Sequence, residues 1–435
     1  MQHKPKVLVF HSVIMLVIVV LSSLATYLVN MLLARFLGAE YFGNYSVIIS
    51  IFTMLSIVLL FGNNYSAVKF LPEYITQKKW QLARGYLKKT LKIVLITCIA
   101  IKVFGIIVAL ILLPFTQINL GRYEFLHVAC YMLWVIPLIA IGTYLSDFLR
   151  GINRIFWSTL LYNFLNPILF IIVLLVTFYL FHITVNIYQT FFICAGVLLV
   201  IIFLQFLVCR KKTPKEIFLA TPDFKTKEWH KTSWQLMVAH FVLMMLFSSE
   251  MILLKIFGHS AINVGIFSAI LTIGSLYWLI FNAVAYVLMP HISPSALHGD
   301  RTKMQALYNI GTLILTVLVL SLTVLIFIFR YFLLRHFGAE FVSGVSALVL
   351  VTVGYAAVII FGLPWYFLGL TGNQQRLLGP IIFLAIFNII ITIILVHYFD
   401  LMGAAVGLVI TDVLLVTWQS ILLKKHVGIK PLLIV

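Results

Sequence analysis

Long apolar runs recur along almost the whole chain, and they constrain its fold more than any other feature. A helix needs roughly 20 apolar residues to cross a bilayer, and runs of that length follow one another from the N-terminal region to the last twenty residues. The runs do not alternate apolar with polar residues, as the strands of a membrane barrel do. The sequence therefore predicts an all-α, polytopic membrane protein.

The scarcity of charge supports the same conclusion. Only 10% of the 435 residues are charged and 63% are hydrophobic, whereas a soluble domain carries about 25% charged residues. This excludes a cytosolic enzyme, a nucleic-acid-binding protein and a secreted domain. We predict twelve helices. They cover residues 8–34, 42–66, 91–114, 127–149, 157–181, 187–209, 234–257, 263–289, 306–329, 342–368, 378–398 and 402–423.

Lys and Arg residues are distributed unevenly between the predicted loops. With the N-terminus inside, 24 of the 30 cations fall in inner segments and only five in outer segments. Because positive residues are retained on the cytoplasmic side, both termini are expected in the cytoplasm. The two largest inner segments, residues 69–91 and 210–233, mix cations with aromatic residues. We expect them to lie along the anionic headgroups.

Short matching segments indicate an internal repeat. Residues 43–48 (GNYSVI) open the second predicted helix, and residues 265–270 (GIFSAI) open the eighth. Three further landmarks recur at nearly the same offset. Six helices separate the copies, so both halves should have the same topology, related by an axis along the membrane normal with a substrate site between them.

The repeat predicts two six-helix lobes around a central cavity. The N-lobe comprises residues 1–209, a cytoplasmic basic linker residues 210–233 and the C-lobe residues 234–435. This architecture is typical of an alternating-access carrier, and a duplicated channel or scaffold is the alternative. Pro364 and the Asn166-Pro167 pair are expected bending points, because proline removes a helical hydrogen bond.

Three stretches resemble a known family. Residues 33–46 (LARFLGAEYFGNYS), Leu149-Arg150-Gly151 and residues 400–405 (DLMGAA) are similar to segments of the Wzx-type polysaccharide biosynthesis flippases. These belong to the MOP (multidrug/oligosaccharidyl-lipid/polysaccharide) exporter superfamily. The resemblance covers essentially the whole chain. It implies a MATE-like fold in the bacterial cytoplasmic membrane.

The resemblance also implies a function. The substrate would be an undecaprenyl-pyrophosphate-linked oligosaccharide, such as the O-antigen of lipopolysaccharide or another surface polysaccharide repeat unit. It would be moved from the inner to the outer leaflet by alternating access. The expected partners are this glycan, membrane lipids, H⁺ or Na⁺, and the polysaccharide polymerase and chain-length machinery. No cofactor and no nucleic acid are expected.

Several cations are candidates for binding the pyrophosphate. Lys102 lies in the middle of the third predicted helix, roughly 18 Å from either end, too deep for its side chain to reach the headgroups. A fixed cation in a cavity would lower the cost of moving negative charge out of water, and an ion pair with a buried acid is the alternative. Arg35, Lys69, Arg150 and Lys255 lie nearer the membrane faces. Interface anchoring and the positive-inside bias explain these four without a ligand.

Polar residues inside the predicted helices are candidates for the cavity lining. Asn30 and Asn64 belong to stripes of amides and hydroxyls that suit a sugar chain, although such stripes also pack helices together. His240 precedes Glu250 by ten residues, about 80° around one helix. Both side chains could therefore face one cavity.

Three carboxyl groups are candidates for ion coupling. Glu250, Asp412 and Asp147 lie within predicted helices, where an acid that takes up a proton or Na⁺ can bias one conformation. The alternative is an interhelical pair with Lys102 or His240.

Catalytic motifs are missing from the sequence. It contains no phosphate loop ending in Lys-Ser/Thr, no His-Glu-x-x-His and no Cys-x-x-Cys, so we expect neither an enzyme nor a metal centre. A glycan polymerase or ligase usually carries a long outer catalytic loop, which the predicted helices leave no room for. A MATE-type multidrug or cation antiporter is the main alternative. Glu250 and Asp412 favour it, whereas Lys102 argues against it.

Overall fold

A computed structural model describes residues 5–112, 124–179, 186–297 and 300–431, and their regular structure is helical. The α-helices are α1 (Pro5–Leu59), α2 (Asn63–Thr76), α3 (Trp80–Leu112), α4 (Glu124–Tyr131), α5 (Ile136–Gly151), α6 (Ile155–Ser158), α7 (Asn166–Tyr179), α8 (Ile187–Lys212), α9 (Lys215–Leu219), α10 (Thr226–Phe257), α11 (Ala261–Leu297), α12 (Arg301–Phe337), α13 (Val345–Ile360), α14 (Pro364–Leu370) and α15 (Leu378–His426). Short 3₁₀ segments cover Leu133–Val135, Ala339–Gly344 and Gln374–Leu377, and a π-helix covers Thr159–Leu165.

Ten helical stretches of the described residues are long and apolar enough to cross a membrane. Two of them, Ile14–Leu59 and Gln375–His426, contain 46 and 52 residues, more than twice what a hydrocarbon core of roughly 30 Å requires. Each has one non-helical residue inside it, Gly38 (φ 76°) and Asp400 (φ 48°). The protein is therefore a multi-pass membrane protein. The number of twelve crossings stays a prediction.

The second predicted helix, residues 42–66, is interrupted in the structure. The chain turns through Phe61 and Gly62, whose φ angles are 51° and 69°, before α2 begins. A Cβ on Gly62 would lie 2.1 Å from the carbonyl oxygen of Ser233. Glycine is required here because the turn is left-handed and tightly packed at once.

The predicted bending points fall at irregular backbone. Pro364 begins α14, four residues after α13 ends at Ile360, as expected for a residue that cannot donate a helical hydrogen bond. The Asn166-Pro167 pair directly follows the π-helix Thr159–Leu165, and such insertions are a recognised cause of helix bending.

The described chain forms two compact units. The C-terminal unit comprises the residues before Leu24, Asn30–Gly43 and the chain from Met245 onward, and the N-terminal unit comprises Leu24–Val29 and Asn44–Met244. In the N-terminal unit α5 packs against α2, α3 and α8. In the C-terminal unit α12 packs against α11 and α13, and α13 packs against α15. The lobe boundaries predicted at residues 209 and 234 stay predictions.

Two aromatic residues of the basic segments are buried, so the expectation that they lie along the headgroups is wrong for them. Tyr86 is fully buried and Trp229 is 2% exposed, and their rings meet edge to face at 5.4 Å. Trp229 Nε1 donates to the Tyr74 hydroxyl at 2.9 Å, which satisfies the indole N–H inside the core. Trp234, in contrast, is 51% exposed.

Two glycines that the sequence repeat matches lie against each other in the C-terminal unit. A Cβ on Gly43 would come 2.6 Å from the backbone nitrogen of Gly265, and a Cβ on Gly265 would come 1.9 Å from the Ala39 carbonyl oxygen. Small residues let membrane helices approach backbone to backbone. This crossing therefore tolerates no larger side chain at either position.

Candidate functional site

Three predicted site residues meet in the N-terminal unit, and we call them the Asp147 cluster: Asn64, Asp147 and Arg150. Asn64 Nδ2 donates to Asp147 Oδ2 at 2.9 Å, and Arg150 Nη1 donates to Asp147 Oδ1 at 3.0 Å. Asn64 is 0% and Asp147 5% exposed, whereas the Arg150 side chain keeps 40% of its exposure. Both carboxylate oxygens therefore have a donor, and one donor is a cation that reaches outward.

His240 lies beside this cluster and stacks on Tyr65, the residue after Asn64. The two rings are 3.5 Å apart at an interplanar angle of 13°. His240 Nδ1 is 2.9 Å from the Leu236 carbonyl oxygen, and a carbonyl can only accept, so Nδ1 carries the hydrogen. Nε2 then holds the lone pair of the neutral ring. A nitrogen able to bind a proton therefore lies near Asp147.

Glu250 has a different environment in the C-terminal unit, organised by Asn388. Asn388 Nδ2 donates to Glu250 Oε1 at 2.6 Å and to Thr411 Oγ1 at 2.9 Å, while its Oδ1 accepts from Ser249 Oγ at 2.8 Å. All four residues are buried, and Asn388 is 0% exposed. We call Ser249, Glu250, Asn388 and Thr411 the Glu250 cluster.

Two more polar residues border the Glu250 cluster. Asp412 follows Thr411 along α15 and is 7% exposed. Thr392 lies one turn after Asn388, and its buried hydroxyl has no hydrogen-bond partner within the described residues. Both are therefore polar groups buried on α15, the helix that supplies Asn388 and Thr411 to the cluster.

Neither Glu250 nor Asp412 forms an ion pair in the part of the chain that the structure describes. The pair with Lys102 or His240 that the sequence left open is thus not formed there, because the Glu250 oxygen is bonded to the Asn388 amide instead. A buried carboxyl without a cation partner is neutralised by a proton or holds a cation. This environment can therefore take up a positive ion.

Lys102 does not lie in a packed interior. Its side chain is exposed on α3, on a stretch where Ile99, Val103 and Ile106 are 60%, 51% and 42% exposed. Within the described residues it makes no ion pair with an acid. Its role in a cavity stays a prediction.

The other predicted residues have varied surroundings, and their roles also stay predictions. Arg35 and Lys69 are exposed, and the Lys69 ammonium lies 5.4 Å from the centre of the Phe70 ring. Lys255 is only 4% exposed. Asn30 Nδ2 donates to Thr272 Oγ1 at 3.2 Å.

Tyr65 and Asn388 were not predicted from the sequence, although Asn388 carried a signal. Asn388 is the one amide in the predicted apolar helix 378–398, and a buried amide requires partners. That requirement pointed to polar residues on neighbouring helices. Nothing in the sequence distinguished Tyr65 from the other tyrosines.

Most of the chain matches a known protein family. Residues 9–295 match the model of a family described as "Polysaccharide biosynthesis protein". No curated protein matches the chain.

Solved structures with the same fold are transporters. An inward-facing multidrug resistance MATE family transporter of the MOP superfamily is 16% identical, with a TM-score of 0.76 over 94% of both chains. The MATE multidrug transporter DinF-BH is 17% identical, with a TM-score of 0.65 over 97% of this chain and 96% of the other.

A third structure, a MOP superfamily transporter from Pyrococcus furiosus, is described as having a binding pocket of reverse polarity that suggests a different function. It is 15% identical, with a TM-score of 0.63 over 96% of this chain and 94% of the other. At these identities the likeness establishes the fold: this chain has the architecture of the MATE and MOP transporters.

Proposed function

We propose that this chain, which belongs to the polysaccharide biosynthesis protein family, carries a lipid-linked oligosaccharide across the membrane. The proposed substrate is an undecaprenyl-pyrophosphate-linked repeat unit of O-antigen or another surface polysaccharide. It moves from the inner to the outer leaflet of the bacterial cytoplasmic membrane by alternating access. In this proposal the kinks at Gly38 and Asp400 divide the two longest helices, which gives twelve crossings and places both termini in the cytoplasm.

The Glu250 cluster is the observation that carries the transport part of the proposal, and the family match supports its substrate class. Glu250 and Asp412 are buried in helices long enough to cross the membrane. Within the described residues, Glu250 accepts a hydrogen bond from the Asn388 amide and forms no ion pair with a cation. Such a placement costs free energy that a packing role does not require. A carrier gains from it, because H⁺ or Na⁺ bound in one conformation shifts the equilibrium toward that conformation.

Arg150 supports the substrate part of the proposal. One of its guanidinium nitrogens is bonded to Asp147, and a guanidinium has five N–H donors. Because the side chain is 40% exposed, the remaining donors can bind a pyrophosphate in the bidentate manner that arginine favours. Asp147 then holds the guanidinium in place and Lys69 adds positive charge at the same inner side.

The test uses the native host with the gene deleted. We expect lipid-linked oligosaccharide to accumulate in the inner leaflet and surface polysaccharide to disappear, and the wild-type gene to restore both. Restoration by Glu250→Gln should fail, because glutamine keeps the acceptor for Asn388 but cannot be charged. Glu73→Gln, at an exposed position of α2, is the matched control. Normal leaflet distribution in the deletion strain would reject the proposal.

A MATE-type multidrug or cation antiporter is the second candidate, favoured by the buried carboxyls Glu250 and Asp412, which would suit a cationic substrate. The same deletion strain separates the two functions. A rise in accumulated cationic dye, together with unchanged surface polysaccharide, would favour the antiporter and reject the flippase.

A further inference from the structure

A cavity of about 480 Å³ lies in the N-terminal unit and is lined by neither cluster described above. It is bordered by the start of α3, the second half of α5, the end of α8 and the short helix α9. Its volume is within the range of roughly 300–1,000 Å³ that ligand pockets occupy. A lipid chain or a small molecule would therefore fit.

Three cations line this cavity at its cytoplasmic end, as the charge distribution orients the chain: Arg84, Lys88 and Arg210. Arg84 and Lys88 are four residues apart on α3 and share one face of the helix. Arg210 lies in the last turn of α8. Lys88 and Arg210 are exposed, and no acidic residue is among the lining residues.

Most of the remaining lining residues are apolar, and on α3 and α8 apolar side chains lie on the membrane side of the cations. Leu91 follows Arg84 along α3 by seven residues, about 10 Å along the helix. Phe206 precedes Arg210 on α8 by one turn, about 6 Å. Both helices therefore place cations at the membrane face and apolar side chains toward its centre. The cavity has the polarity of one amphipathic molecule with an anionic head.

The segment after α9 fixes the cytoplasmic rim of the cavity. The backbone nitrogen of Asp223 donates to the Gln81 carbonyl oxygen at 3.1 Å, and Arg84 Nη1 donates to the carbonyl oxygen of Ala220. A Cβ on Gly85 would lie 1.7 Å from the Asp223 carbonyl oxygen, so the segment of residues 220–223 lies directly on α3. The rim is thus part of the folded unit.

We propose that this cavity binds an anionic glycerophospholipid of the cytoplasmic leaflet. Lys88 and Arg210 contact the phosphate, and Arg84, which is bonded to the Ala220 carbonyl oxygen, adds a third positive charge. One acyl chain lies along Leu91 and Phe206. Basic pockets between helices on the cytoplasmic side recognise anionic headgroups in this way, and a headgroup without net charge would leave the three cations uncompensated.

The experiment titrates the purified full-length chain with phosphatidylglycerol in phosphatidylcholine nanodiscs and measures bound lipid by native mass spectrometry. Replacing two lining cations together, Lys88→Gln with Arg210→Gln, should weaken binding about 30-fold, since each cation contributes about 1 kcal/mol. The matched control replaces their sequence neighbours, Lys89→Gln with Lys211→Gln, which do not line the cavity. The control should change affinity less than about threefold.

Three results would overturn the proposal. Equal weakening by the control pair would mean that diffuse surface charge attracts the lipid. Equal retention of phosphatidylcholine and phosphatidylglycerol would mean that the headgroup is not recognised. Displacement of phosphatidylglycerol by undecaprenyl pyrophosphate, with both lost in the lining variant, would assign the cavity to a polyprenyl substrate.

A second variant keeps the test independent of the charged residues. Leu91→Trp fills the apolar end of the cavity and leaves all three cations in place. We expect it to reduce bound phosphatidylglycerol at least tenfold, as the acyl chain loses its space. Unchanged binding in this variant would also reject the proposal.

Discussion

Asp147 in the N-terminal unit accepts hydrogen bonds from a guanidinium and an amide, whereas Glu250 in the C-terminal unit accepts one from an amide. The first carboxyl lies three residues from a half-exposed arginine near the end of α5. The second lies in a fully buried network of uncharged donors. The charge of Asp147 is balanced inside the protein, and within the described residues the charge of Glu250 is not.

This difference assigns the two acids different tasks. A carboxylate that pairs with an arginine holds that guanidinium in place. A buried carboxylate held by an amide is readily neutralised by a proton or a metal cation. We therefore expect Asp147 to serve architecture and anion binding, and Glu250 to serve ion coupling.

The largest loss of stability is expected when the Asn388 amide is removed from the Glu250 cluster. Asn388→Leu removes the hydrogen bonds that the amide makes with Glu250, Ser249 and Thr411, and a buried polar group left unsatisfied costs about 1–3 kcal/mol. We expect the free energy of unfolding, measured by titration with SDS in mixed micelles, to fall by at least about 3 kcal/mol.

The matched change in the other cluster is Asn64→Leu. It leaves one carboxylate oxygen of Asp147 without a donor while Arg150 remains, so a loss of about 1–3 kcal/mol is expected. Equal losses for Asn64→Leu and Asn388→Leu would show that the two networks are equivalent, and would contradict the difference between Asp147 and Glu250.

The stability lost when Arg150 is removed should be regained when Asp147 is removed as well. Arg150→Gln leaves the buried Asp147 with Asn64 alone, and we expect a loss of about 2 kcal/mol, reduced from the value for a fully buried pair because Arg150 is half-exposed. The double variant with Asp147→Asn should recover most of this stability in a double-mutant cycle. Additive losses would mean that the pair contributes nothing.

The His240 ring should stabilise the protein through its stacking on Tyr65. His240→Phe keeps an aromatic face and loses one hydrogen bond to Leu236, whereas His240→Ala loses both contacts. We expect alanine to be less stable than phenylalanine by about 0.5–1.5 kcal/mol. Thermal unfolding in detergent measures the difference, and a phenylalanine variant as unstable as alanine would contradict the stacking role.

The smallest effect is expected at Thr392, whose hydroxyl has no partner in the described part of the chain. Thr392→Val should change the free energy of unfolding by less than about 0.5 kcal/mol, because no hydrogen bond is lost. A loss above about 1 kcal/mol would indicate that the hydroxyl serves an interaction of the Glu250 cluster.

The sequence predicted the membrane class and the residues of the Asp147 cluster, but not their assembly. Apolar runs determine helices locally, so the class follows from hydropathy alone. Asn64, Asp147 and Arg150 were each singled out as polar groups near or within the membrane, and it is the packing of α2 on α5 that joins them.

The remaining features depend on tertiary contacts that leave little trace in the sequence. The break at Phe61 and Gly62 falls inside an apolar run, and its cause is a close contact with the distant residue Ser233. Tyr86 and Trp229 looked like interfacial aromatics because of their basic neighbours. Their burial follows from the fold of the inner segments into one core.

The most direct test of the contrast is gradient-driven flipping in proteoliposomes that contain the purified chain. Lipid-linked oligosaccharide is placed in one leaflet, a pH or Na⁺ gradient is imposed, and a membrane-impermeant hydrolase reports the substrate that has crossed. We expect the gradient to accelerate flipping by the unsubstituted chain, because an ion bound in one conformation shifts the equilibrium toward that conformation. The acceleration should be lost in Glu250→Gln and kept in Asp147→Asn. The opposite pattern, or equal acceleration in both variants, would contradict the assignment of ion coupling to Glu250.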